Sequence, residues 1–254
     1  MLLVGSLGLI MSDVREVLEK AYKELAEKDF PDGDRIRFIA ELGASDDIDY
    51  HYKLICDSWK SVRRLYLENS FDRHGSDGLE FLFKKISEAE DEVIKVLTEY
   101  LIAEILSKSR HREFYTGFCE RLIPILISDI KTCDEILRRK LIIALGWVGT
   151  SNEISFLTRQ MLSKDDALCR VWSASSLMQL SFHGIGKEEV CEASKDAFAK
   201  VLADEKDMQA CGLILESVQT LYDKKWVSSS AVEDVDEVKI EKGRKSALRF
   251  LSKL

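Results

Sequence analysis

Asp134-Glu135-Ile136-Leu137-Arg138-Arg139-Lys140-Leu141-Ile142-Ile143-Ala144-Leu145-Gly146-Trp147-Val148-Gly149 reads as one amphipathic helix that opens on an aspartate and closes on a glycine turn. The layout returns in Asp166-Ala167-Leu168-Cys169-Arg170-Val171-Trp172-Ser173-Ala174-Ser175-Ser176-Leu177. Setting Arg138 on Arg170 puts Ala144 on Ser176 and Leu145 on Leu177, a spacing of 32 residues. A repeat of that length is the size of one helix pair, and such a pair buries its wide apolar face only when the next pair stacks on it. The pattern predicts an all-α chain, an α-α superhelix of stacked helix pairs.

The rest of the 254 residues agrees with a helical reading. Only Pro31 and Pro124 interrupt a composition rich in Leu, Lys, Glu and Ala, so nearly every window favours helix. Apolar residues at steps of three and four predict helices over 12–28, 34–42 and 47–68, then 78–87, 91–107, 113–129, 134–148, 152–162, 165–181, 187–202 and 206–224. Gly43 is expected to stop the second helix, and the polar run 69–78 to break the chain before the repeats begin. Residues 227–241, with three consecutive serines and five acids against one lysine, are expected to be a mobile loop before a closing helix over 242–254. In this scheme residues 1–76 cap the stack, and residues 77–254 form one continuous solenoid.

Met1–Met11, the longest apolar run, is too short to span a hydrocarbon core and has no basic residue before it, which predicts a soluble, cytoplasmic protein without a secretory leader. Residues 1–10 read as an extension ahead of a helix capped by Ser12. Six cysteines at long spacings, with no CxxC, suit reduced thiols better than a disulfide framework. With 37 basic and 45 acidic residues the chain carries −8, which argues against a surface that tracks nucleic-acid phosphates and makes nucleic acid an unlikely partner.

Leu122-Ile123-Pro124-Ile125-Leu126-Ile127, then Asp134 with Arg138 and Arg139, then Ala144-Leu145-Gly146-Trp147-Val148-Gly149, together resemble HEAT repeats. In that family a proline-marked helix, an acidic turn and an Arg-bearing helix ending in Ala-Leu-Gly recur. The resemblance covers about 77–222. The next unit keeps Asp166 and Arg170 but has Ser176-Leu177-Met178 where Ala-Leu-Gly would stand. It implies that Arg138, Arg139 and Arg170 pair with Asp134 or Asp166 to hold neighbouring pairs together. It also implies a curved binding surface lined by one helix of each pair.

Chemistry is harder to find. The chain has no GxSxG, HExxH or GxGxxG, and His51, His74, His111 and His183 are not spaced as a zinc site, so neither enzymatic activity nor a metal or cofactor is expected. His183-Gly184-Ile185-Gly186-Lys187 lacks the strand and Ser/Thr of a phosphate loop and reads as a helix-to-helix turn. Lys108, Arg110, His111 and Arg112, followed by Phe114 and Tyr115, have the interleaving of a nucleic-acid contact but suit a solvated turn closed by two aromatics. Asp46-Asp47, Asp165-Asp166 and Glu188-Glu189 fall at helix starts, where acids cap free N–H groups. Trp147 is expected to pack over its turn.

The expected function is a non-enzymatic scaffold or adaptor for another protein, or a neutraliser such as a toxin immunity protein whose acidic surface covers a basic target. Polar faces of 113–129, 152–162 and 187–202 form the candidate groove, with Arg121, Glu153, Arg159, Glu192, Lys195 and Asp196 as its partner-binding residues. The alternative is a HEAT-like nucleic-acid binder or DNA-repair glycosylase. A chromophore lyase is permitted by the resemblance alone.

Overall fold

The computed structural model describes the backbone of residues 3–254 and the side chains from Val14 onward; the expected Ser12 cap lies outside the described side chains. Every regular element among the described residues is a helix, and no such helix is long and apolar enough to cross a membrane. Compact packing divides the chain into Met1–Ile105 and Leu106–Leu254.

In the first unit, helices α1 (Leu3–Glu27), α2 (Asp32–Ala44) and α3 (Ile48–Lys60) precede a 3-10 helix, Leu67–His74, and α4 (Gly75–Glu88). Helix α5 (Glu92–Lys108) carries the chain into the second unit. The 3-10 segment is the centre of the first: α2, α3 and α4 all pack on it, and Leu67 and Phe71 are buried there with Phe38, Leu42, Ile55 and Leu79. Because α4 packs on this segment, it belongs with the first unit.

Two expectations fail around this segment. The helix predicted to run to 68 ends at Lys60, where the Ser61 N–H closes on the Ser58 carbonyl, and the Leu65 N–H returns to Ser58 Oγ at 3.2 Å. Val62 fitted the apolar period but is fully exposed. Gly43 is no stop, since α2 passes through it. A Cβ there would lie 2.6 Å from the Ser70 carbonyl oxygen, so only glycine lets the 3-10 segment approach, and Ser70 Oγ donates to the Ile39 carbonyl at 2.5 Å.

The second unit continues with α6 (Tyr115–Asp129), α7 (Glu135–Val148), α8 (Ile154–Met161), α9 (Ala167–Phe182), α10 (Lys187–Asp204), α11 (Met208–Leu221), α12 (Ser229–Glu233) and α13 (Glu237–Leu251). Helix α9 lies between α7 and α11 and also packs on α8 and α10, while α6 packs on α7 and α13 covers α10 and α11. The closest approach joins α7 to α9. A Cβ on Gly146 would fall 2.6 Å from Ser176 Oγ and 2.8 Å from its Cα, and Ser176 Oγ donates to the Ile142 carbonyl at 2.9 Å. Ser176, which aligns with Ala144 at the 32-residue spacing, therefore grips the preceding helix of the pair.

Asp134, Asp166 and Asp207 cap α7, α9 and α11 by accepting backbone N–H bonds, as acids at helix starts should. Residues 227–241 are not a loop. Ser228 caps α12, Asp236 caps α13, and Val227, Ala231 and Val232 are buried. The acids are spread over caps and solvent faces, while the apolar residues between them dock.

Candidate functional site

The repeated arginines have structural partners. Arg138 forms a bidentate pair with Asp165 (Nε to Oδ2 2.7 Å, Nη2 to Oδ1 2.5 Å) and Arg139 reaches Asp166 at 2.8 Å. One step on, Arg170 grips Glu205 at 2.7 and 2.9 Å and donates to the Asp165 carbonyl. Arg138 and Arg170 thus close on the acid of the following interhelical turn, not on Asp134 or Asp166. Asp134 is engaged as a cap, accepting from Ile136 and Leu137. Burial alone would raise the carboxyls of Asp166 and Glu205; hydrogen bonds from Arg139 and Arg170 and from backbone N–H groups outweigh it and hold both below the ordinary carboxylate range.

Of the residues expected to bind a partner, Glu153 is occupied internally. It is buried and its carboxylate accepts from the N–H and Oγ of Thr150, both at 2.7 Å, in a capping box. Arg121 is exposed on α6, its guanidinium 5.2 Å from the Phe118 ring centroid. Arg159 on α8 is exposed and reaches only Ser155. Glu192, Lys195 and Asp196 share α10, with Lys195 4.0 Å from Glu192. Helices α8 and α10 are in contact, so Arg159 and the α10 trio stand on neighbouring elements.

The basic turn 108–112 is likewise partly internal, because Arg110 donates to the Trp147 carbonyl at 3.0 Å. Gly186 caps α10, Gly184 takes a positive φ of 98°, and Lys187 pairs with Asp223, so this glycine segment is a turn.

A different site lies between α9 and α11. Leu168, Val171, Trp172 and Met178 from α9 face Leu213 and Glu216 from α11 around a cavity of about 520 Å³. Trp172 stays 38% exposed beside it, and Ile136, at the position of Leu168 one repeat earlier, is 59% exposed on α7. Apolar side chains left open on consecutive helices are the usual mark of a partner surface. The sequence held the signal. Trp172 aligns with Lys140 in the 32-residue register, so it occupies a polar phase of the helix, where a tryptophan has no core to join.

The first unit holds the one closely coupled pair of imidazoles among the described residues. His51 is fully buried, and its Nε2 donates to the Leu67 carbonyl at 2.9 Å. That tautomer makes Nδ1 the acceptor for His74 Nε2–H at 2.8 Å. Burial pushes His51 down to about 4 and lowers His74 as well. Both rings are neutral latches on the 3-10 segment. Among the described residues no three His, Cys, Asp or Glu side chains are grouped to hold a metal ion, and all six cysteines are free.

The acidic charge is unevenly distributed. Residues 1–105 hold 14 Lys and Arg against 23 Asp and Glu, a balance of −9; residues 106–254 hold 23 against 22, or +1. No family model, curated protein or solved structure matches the chain.

Proposed function

We propose that the chain is a non-enzymatic protein-binding module whose second unit is a short HEAT-like superhelix, and that its partner sits on the side formed by α7, α9 and α11. The observation that carries this reading is the open apolar cavity between α9 and α11 with Trp172 at its edge. A second observation favours that side over α6, α8 and α10. Helix α9 packs closely on both α7 and α11, whereas α8 packs less extensively on α10 and no comparable packing between α6 and α8 is seen among the described residues. Helices that crowd on one side and splay on the other give a stack that curves toward the crowded side, which suits a receiving surface. The near-neutral charge of this unit suits a mixed protein surface better than a phosphate backbone. A neutraliser of a basic target would instead use the first unit, where the −9 balance lies.

The test is quantitative capture from nuclease-treated lysate of the cells that make the protein, with the wild-type chain and Trp172→Ala side by side. The expected result is one stoichiometric protein retained by the wild type and lost from the variant. Retention that Trp172→Ala does not affect moves the site to α6, α8 and α10 or to the first unit. Recovery of nucleic acid alone from untreated lysate, released steeply by salt, overturns the protein-binding reading.

A further inference from the structure

Resting on that reading, we infer that the α9–α11 cavity takes a peptide segment presenting a bulky apolar side chain next to a lysine or arginine. The lining divides into two chemistries. Leu168, Val171, Met178 and Leu213 offer an apolar floor, and Trp172 forms an exposed wall. The volume, about 520 Å³, has room for one or two large side chains. An aromatic or long aliphatic residue filling it removes water from surface that folding leaves wet.

Glu216 is the single ionisable residue lining this cavity. Its carboxylate forms no ion pair with any lysine or arginine among the described residues, whereas Asp165, Asp166 and Glu205 of this unit are each matched to an arginine. Its backbone carbonyl alone is engaged, by Thr220 Oγ1 at 2.8 Å. An unmatched carboxylate at the rim of an apolar pocket selects for a cation on the incoming segment, and it rejects one that carries an acid in the same place. Ser175 Oγ, also lining the cavity, adds a hydroxyl for the peptide backbone. An uncharged apolar ligand would leave Glu216 unused.

The experiment is panning of displayed random linear peptides on the full chain, followed by fluorescence anisotropy with the selected peptides. The expected selection pairs a large apolar residue with Lys or Arg within one helical turn. Trp172→Ala and Leu213→Arg should each weaken binding at least ~10-fold with the helical circular dichroism unchanged. Glu216→Gln should weaken it about 5-fold, and changing the peptide's Lys to norleucine should cost the wild-type chain the same factor but cost Glu216→Gln nothing further. Selected peptides without a cation, or a cycle without coupling, overturn the inference. Peptides that bind but ignore Trp172 and Glu216 overturn this site while leaving a binding module elsewhere. Elution of the wild type as a dimer that Trp172→Ala converts to monomer assigns the cavity to a second copy and also overturns it.

Discussion

In the second unit, one arginine after another leaves its helix to close on the acid of the next interhelical turn, Arg138 on Asp165 and then Arg170 on Glu205. The first unit shows one such pair among the described residues, Arg15 on Asp47, and α2, α3 and α4 gather on a single 3-10 segment held by Ser70, His51 and His74. A repeated device spreads stability along the chain, and each step can be damaged with a local effect. A single hub makes every helix around it depend on the same few polar contacts, including two imidazoles that must stay neutral. The difference also separates charge: the repeated unit leaves apolar residues open on α7 and α9 and is near neutral, and the hub-built unit carries the net negative charge.

The largest expected losses set the two devices against each other. Arg170→Ala leaves Glu205, whose side chain is 2% exposed, without its counter-ion and should cost about 3 kcal/mol, read by urea unfolding, with hydrogen exchange rising first around α9 and α11. Acid acts on the other unit. His51 has an unfolded value near 6.5 and a folded value of about 4, so the unfolded chain binds more protons between them. Stability is complete above about 6.5 and falls as pH drops toward 4, by up to about 3 kcal/mol, before the carboxylates of Asp166 and Glu205 begin to protonate. Exchange measured from pH 7 to pH 4.5 should therefore open 48–74 before the second unit. Earlier opening of α7–α11 would remove the contrast.

Smaller effects sharpen it. Gly146→Ala and Gly43→Ala each insert a methyl against backbone, at Ser176 Cα and the Ser70 carbonyl, and each should cost about 2 kcal/mol. Loosening should follow the unit: α7 and α9 for the first variant, 67–74 for the second. Arg15→Ala should cost no more than about 1 kcal/mol, since Arg15 is 42% exposed and Asp47 keeps its cap bond to the Tyr50 N–H at 3.0 Å. A loss as large as that of Arg170→Ala would show that the first unit too is held by its ion pairs.

Local signals were legible in the sequence. Asp134, Asp166 and Asp47 announce helix starts because an N-cap reads only the next two or three residues, and the apolar stripe fixed the all-α class. Of the partners set by folding, only that of Arg139, Asp166, was legible. Asp165 stands 27 residues from Arg138 and Glu205 stands 35 from Arg170, and nothing nearby in the chain selects them over Asp134 or Asp166. The 3-10 hub was missed for the same reason, since its hydrogen bonds come from Ile39 and His51. Residues 227–241 were misread differently: Ser228 and Asp236 were visible caps, but the run of acids was taken for solvation. At the candidate site the polar faces carry the sequence expectation, yet Glu153 is a capping residue and the exposed apolar side chain is Trp172.

The central claim is that a partner is received on α9 and α11. Hydrogen exchange of the full chain, alone and saturated with the captured protein, tests it directly. The account predicts slowed exchange in 168–178 and 213–220, with α6, α8 and the first unit unchanged. Slowing confined to 113–129 and 187–202, or to 1–105, would contradict it.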